Sequence, residues 1–240
     1  MPTPRLTQSI LTRQQAREFY DRLGASRDGH PFYARRAIRR LVEHSEFESA
    51  SSVVEFGCGT GALAARLMEH VLPDYAKYTA FDLSQTMVQN TRRRLVKFGA
   101  RVTITQTDGR PRVPLPPRCC DRFVSTYVLD LLSGPDIAKL LGQAWTLLRP
   151  DGLLCLTSLT FGRTPVSKLV IAIWQKVHLR SPEKVGGHRP ISLSSYLGPA
   201  SWKIVHSSTV VSRGVPSEVV IARPRGHSTA SDAGSHELSR

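Results

Sequence analysis

The chain is predicted to form a doubly wound α/β fold: a mostly parallel sheet of seven strands, an antiparallel hairpin at its C-terminal edge and a helical cap at the N-terminus. Three observations predict it. Short β-branched runs alternate with helical patterns between residues 52 and 159. The first run, Val53-Val54-Glu55-Phe56, breaks into Gly57, Gly59 and Gly61 and then opens a helix. Two late strand-like runs follow one another with no helix between them. Strand–helix alternation requires right-handed crossovers and a parallel sheet covered on both faces. Consecutive strands without a helix close one sheet edge as a hairpin.

Taken in order, residues 14–23 and 31–44 read as amphipathic helices, the second with Pro31 pre-set for its first turn. Strand-like runs follow at 52–56, 78–82, 101–107, 122–127 and 152–159. Between them, Leu63, Leu67, Met68 and Val71 recur at helical spacing, and Ser84 is placed to cap a helix running to about Phe98. The clearest helix carries Ile137, Leu140, Leu141, Ala144, Leu147 and Leu148 on one face, behind the Ser133-to-Asp136 spacing of a capping box. Past residue 160, residues 165–179 read as an apolar helix, 182–190 as a loop, and 202–206 and 218–222 as the two closing strands. From Arg223 onward Pro, Gly, Ser, His and Ala dominate, the composition of a disordered tail. The division expected is a cap over 1–48, a catalytic domain over 49–222 and a tail over 223–240.

At 240 residues and 40% hydrophobic content the chain can build one generous core. No apolar run reaches the roughly 18 residues of a membrane span, and the start lacks the apolar stretch of a secretory signal, so a cytoplasmic protein is expected. The acid-free start over 1–16 also suits an organelle transit peptide, which leaves that alternative open, as it does peripheral membrane attachment. Cys58, Cys119, Cys120 and Cys155 form no CxxC pair and read as reduced, small apolar residues; no metal site is expected. The net charge of +14 favours an anionic partner, yet Arg35, Arg36, Arg39 and Arg40 lie opposite an apolar stripe, as on a solvated helix face.

The glycine loop is a backbone-only turn in which a ligand can approach the main chain closely, and the helix behind it offers free N–H groups. Gly57-x-Gly59-x-x-Ala62 also satisfies the dinucleotide fingerprint, so the loop alone does not select a ligand. Its neighbours do. Glu55, two residues before the first glycine, would repel a pyrophosphate and welcome a cation. Asp82 ends the next strand, where a carboxylate can accept both hydroxyls of a ribose. Asp108, in Thr107-Asp108-Gly109, ends the third, where it can accept from an exocyclic amine. Acids at three consecutive strand ends outline a nucleoside with an amine.

With Asp121-Arg122-Phe123-Val124-Ser125-Thr126-Tyr127-Val128-Leu129 and Leu147-Leu148-Arg149-Pro150-Asp151-Gly152-Leu153-Leu154 after them, these stretches resemble the class I S-adenosylmethionine-dependent methyltransferases. The resemblance is to the small-molecule and lipid branch with a generic methyltransferase domain on a Rossmann-like sheet, over roughly residues 50–160. It implies that Gly57, Gly59 and Gly61 line the methionine part of S-adenosylmethionine while Glu55 faces its amino end. Asp82 would hold the ribose, Leu83 and Gly109 would flank the adenine, Asp108 would fix its amine, and Thr126 and Tyr127 would lie beside the sulfonium.

Such transfer is an in-line displacement that needs alignment at about 3–3.5 Å and exclusion of water rather than an obligatory catalytic side chain. If the acceptor carries a proton, Tyr127, Asp130, His178 and His188 are candidate bases, with Tyr127 and His188 foremost. Tyr20 can close over the donor. The acceptor expected is a small or lipid-like molecule with an O, N or C nucleophile, and residues 165–179 read as core packing, a lid or an interfacial helix. An RNA or other nucleic-acid methyltransferase is the rival on charge grounds, but the fourth strand ends in Ser125-Thr126-Tyr127-Val128 rather than an Asn/Asp-Pro-Pro-Tyr/Phe box. A nicotinamide-dependent reductase would need a Tyr-x-x-x-Lys pair that the chain lacks. A methyltransferase-like binding protein without turnover stays open.

Overall fold

The computed structural model of the chain describes residues 10–26 and 31–226. The lead-in reading over 1–16 and the tail reading therefore fall largely outside the described residues. Helices are α1 (Arg13–Ser26), α2 (Ala34–His44), α3 (Ala62–His70), α4 (Gln85–Leu95), α5 (Gly134–Leu147) and α6 (Pro165–Arg180). Strands are β1 (Ser52–Phe56), β2 (Lys77–Asp82), β3 (Val102–Gln106), β4 (Cys120–Thr126), β5 (Leu148–Leu159), β6 (Trp202–Ser212) and β7 (Val215–Pro224).

The strands form one sheet in the order β3-β2-β1-β4-β5-β7-β6. β1 pairs in parallel with β2 and β4, β2 with β3, and β4 with β5, while β7 runs antiparallel to both β5 and β6. This is the expected doubly wound sheet with its closing hairpin. The strand order reverses between β1 and β4, so the carboxyl ends of these two strands frame the crevice where open α/β sheets bind ligands.

Period-two alternation sends successive β1 side chains to opposite layers. Val53 packs with Ile38 and Leu41 of α2 and Leu63, Leu67 and Met68 of α3. Val54 and Phe56 pack with Ile137, Leu140, Leu141, Ala144 and Leu147 of α5, the stripe read from the sequence. Burial of such side chains stabilises by about 1.5–3 kcal/mol each, which gives both layers their hold on the sheet.

Local signals act where expected, with some boundaries displaced. Ser84 Oγ accepts from Met87 N at 3.1 Å and starts α4, and Ser133 Oγ accepts from Asp136 N at 3.2 Å before α5. The complete reciprocal capping box stands instead at Thr164 and Ser167, ahead of α6. Pro31 lies outside α2: its carbonyl accepts from Ala34 N at 2.9 Å in a preceding turn, and the helix starts without a side-chain cap. The closing strands are about twice the length expected. Residues 223–225 belong to the fold, since β7 runs to Pro224, Arg225 N donates to Ser201 O at 2.8 Å, and Trp145 Nε1 donates to Arg225 O at 3.0 Å.

Candidate active site

At the end of β1 the chain turns on three left-handed glycines, Gly57 (φ 83°), Gly59 (φ 54°) and Gly61 (φ 73°). Two of them are glycine for packing reasons. A Cβ on Gly57 would lie 2.2 Å from Val128 Cγ2, and one on Gly61 would lie 2.8 Å from Thr91 Cγ2 and 3.0 Å from its Cα. A Cβ on Gly59 would meet nothing within 4 Å. The middle of the loop therefore presents bare backbone to open space, the cradle a ligand needs.

The acid at the end of β2 braces this loop. Asp82 Oδ2 accepts from Gly59 N at 2.8 Å and Oδ1 from Ser84 N at 2.9 Å. Each oxygen keeps a further lone pair, so the carboxylate that shapes the loop can also receive two ribose hydroxyls. Burial pushes its carboxyl up to about 6 despite the amides that favour the anion. Glu55 is buried, with Oε2 accepting from Tyr78 Oη at 2.8 Å. Its removal from water raises it to about 8, against the lowering effect of Tyr78, so near pH 7 it is largely protonated.

Leu83 and Gly109 stand side by side, since a Cβ on Gly109 would lie 3.0 Å from Leu83 Cδ1. Asp108 faces away from this group: it is exposed, accepts from Arg110 N at 2.9 Å and pairs with the Arg110 guanidinium at 3.4 Å. Thr126 is buried at the end of β4.

Beyond Thr126 the sequence candidates converge. Tyr127 takes φ 56°, a left-handed conformation rare for a bulky residue, held by Tyr127 N donating to Thr157 O at 2.8 Å. Its hydroxyl donates to Ser217 Oγ at 2.7 Å, and burial keeps its pKa above the ordinary value, so the ring forms a wall here. His188 stands edge-on to that ring. Its Nδ1 lies 3.2 Å from Asp130 Oδ2 and its Nε2 3.3 Å from Tyr20 Oη. Asp130 is fully buried and also accepts from Leu159 N at 3.1 Å, which ties the end of β4 to the end of β5. Tyr33 and Trp174 complete the wall; Trp174 Nε1 donates to His188 O at 2.8 Å. His178 is buried one turn further along α6.

Among the described residues, buried polar atoms without a hydrogen-bond partner include Asp130 Oδ1, Thr157 Oγ1 and Arg189 Nε. These three belong to the ends of β4 and β5 and the segment packed on them: Arg189 N donates to Asp130 O at 3.2 Å, and its guanidinium donates to Leu132 O. Leaving such groups unpaired costs about 1–3 kcal/mol each. Their concentration at one strand end is the mark of a site built to receive polar atoms from outside.

α1 lies across this mouth. Tyr20 Oη donates to Gly186 O at 2.9 Å, Asp21 Oδ1 accepts from Ser84 Oγ at 2.5 Å and Thr86 N at 3.1 Å, and Asn90 Nδ2 donates to Gly24 O at 2.8 Å. Arg13 pairs with Asp136 at 3.5 Å beside Gly109. Asp21 and Arg189 were not singled out from the sequence. Asp21 carries no local motif, and Arg189 acquires meaning only through its burial.

Residues 53–152 match the family described as the methyltransferase domain. The chain is similar to malonyl-[acyl-carrier protein] O-methyltransferase of Marinomonas sp. (strain MWYL1), 26% identical over 179 residues, or 74% of this chain and 63% of that protein. It is also similar to trans-aconitate 2-methyltransferase of Azoarcus sp. (strain BH72), 32% identical over 121 residues, or 50% of this chain and 44% of that protein. The chain thus spans less than two thirds of either curated relative. Its fold is shared with the N-methyltransferase NodS from Bradyrhizobium japonicum WM9, solved in complex with S-adenosyl-L-homocysteine. That superposition has a TM-score of 0.65 and 17% identity and covers 88% of this chain and 98% of that one. Residues 53–152 therefore carry a methyltransferase domain, set on the strand order and the glycine cradle described above.

Proposed function

We propose that the chain transfers a methyl group from S-adenosylmethionine to a small or lipid-like acceptor whose reacting atom sits beside His188. The carrying observation is the meeting of Tyr20, Asp130 and His188, with unpaired buried polar atoms around them, at the carboxyl end of β4. The donor is assigned to Gly57, Gly59 and Gly61, with Glu55 toward its amino end, Asp82 on the ribose, and Leu83 and Gly109 flanking the base. Thr126 lies toward the sulfur. Asp108 takes the adenine amine by turning away from Arg110. When bound, S-adenosylmethionine supplies a methyl group already activated on a sulfonium, so the protein's work is alignment and exclusion of water.

The Asp130 carboxylate beside Nδ1 favours the tautomer with its proton there, which leaves the Nε2 lone pair facing Tyr20. An acceptor hydroxyl placed at Nε2 gives up its proton to the ring, and Asp130 balances the imidazolium. Tyr20 stays protonated, since burial, with Asp130 nearby, holds its pKa well above the ordinary value; its proton goes to Gly186 O, and the ring covers the pocket. His188→Gln should lower kcat by about a hundredfold or more, with donor affinity unchanged by calorimetry. Unchanged kcat in His188→Gln would remove the histidine from the reaction.

A second reading is supported by Arg189, buried and with Nε unpartnered, together with the acceptors in the relatives' names, malonyl and aconitate, which are carboxylic acids. A carboxylate acceptor needs no base, only a cation to seat it. Under that reading Arg189→Gln raises the acceptor KM while His188→Gln leaves kcat in place.

A further inference from the structure

The outward face of α6 is apolar and uncovered. Val166, Leu169 and Ile173 are 65, 63 and 56% exposed, and Leu179 follows at the helix's end. The patch continues onto neighbouring elements. Gly214, in the β6–β7 turn, abuts Val166 and Val170; Arg213 beside it stands over the Phe32 ring at 5.4 Å; and Phe32 is itself 54% exposed. Phe161, just before α6, is 48% exposed. Scattered apolar residues on a surface are ordinary, whereas a contiguous set of large ones on a helix face marks a contact.

The charges around this patch share one sign. Residues 161–181 hold Arg163, Lys168, Lys176 and Arg180 and no acid, and the β6–β7 turn adds Arg213. Arg35 and Arg36, one turn along from Phe32, line a cavity of about 500 Å³ with Arg39 and Arg66. The opposite face of α6 is committed inward: Ile171 is buried, and Trp174 is bonded to His188 O and packed on Tyr33. One helix therefore walls the acceptor pocket with its inner face and offers leucine, isoleucine and valine between lysines with its outer face.

We propose that α6, with Phe32 and the β6–β7 turn, seats this protein on an anionic lipid surface, the apolar side chains entering the interface and the flanking lysines and arginines meeting lipid phosphates. No helix of the described residues is long and apolar enough to cross a membrane, so the attachment is peripheral. The inference rests on the methyl-transfer reading only in that the same helix borders the pocket, and it deepens that reading toward an acceptor taken from the lipid phase.

Co-sedimentation of the intact protein with vesicles of phosphatidylcholine alone and of phosphatidylcholine with phosphatidylglycerol tests it. Binding is expected to the anionic vesicles and to weaken with salt. Leu169→Glu and Ile173→Glu should each reduce partitioning about tenfold, and Lys168→Glu with Lys176→Glu should reduce it while retaining donor binding by calorimetry. Absence of sedimentation with anionic vesicles, or equal sedimentation with both compositions, overturns the inference. So does a vesicle-free dimer that Leu169→Glu dissolves, because the face would then belong to a second copy. Donor binding without vesicle binding sinks this inference alone, and vesicle binding without donor binding sinks the methyl-transfer reading alone.

Discussion

Glu55 shows how one buried side chain couples protonation to both folding and ligand. Its carboxyl is raised from an ordinary 4.5 to about 8 because it leaves water for a pocket under Tyr78. A raised acid pKa means that the folded state holds the proton more tightly than the unfolded chain. The protein is thus favoured fully below about pH 4.5 and loses that advantage as pH climbs toward 8. At about 1.4 kcal/mol per pKa unit the effect amounts to several kcal/mol, and Glu55→Gln should flatten this part of the stability–pH curve measured by urea denaturation. A cationic donor placed beside Glu55 reverses the preference. Its binding at pH 7 should release a proton, read as a dependence of the calorimetric heat on the buffer's ionisation enthalpy, and Glu55→Gln should abolish that dependence. Such behaviour is invisible in the sequence, where Glu55 is only an acid two residues before a glycine.

At the level of elements, the loop between β1 and α3 separates glycines that pack from one that receives. Gly57→Ala meets Val128 at 2.2 Å and should destabilise the fold by a few kcal/mol in denaturant titration. Gly59→Ala meets no neighbour and costs only the left-handed conformation, about 1 kcal/mol, so it should fold yet bind S-adenosylmethionine weakly by calorimetry. Equal donor affinity in Gly59→Ala would show that the cradle lies elsewhere. α1 is the other element whose role emerged only in three dimensions. Its mean character is polar, but Arg13, Tyr20, Asp21 and Gly24 each reach a different part of the crevice rim. Side chains one and two turns apart on a helix can touch sites that are scattered along the sequence, and no periodicity announces this.

For the whole molecule, ligand binding and folding draw on the same crevice, so a saturating donor must stabilise the native state. At about a hundredfold excess over Kd the gain is about 2.7 kcal/mol, or roughly 5–10 °C in Tm for a chain of this size. Thermal unfolding should show that shift with S-adenosylmethionine or its demethylated product and none with a nicotinamide dinucleotide. The amino-acid sequence by itself determined the alternating elements, the order of acids along them and the resemblance to a methyltransferase domain, because strand and helix periodicities and a glycine-rich turn are local physics. It also supplied the candidate bases Tyr127, Asp130, His178 and His188, and Tyr20 as a cover, yet left them as separate guesses. Only the tertiary structure decided that Tyr20 and His188, 168 positions apart, stand 3.3 Å from one another, that Tyr127 is spent on Ser217, and that Trp174 turns inward while Leu169 and Ile173 turn out. The reason is that burial and pairing are set by which elements the sheet order brings together, and a crossover places residues by topology rather than by their distance along the chain.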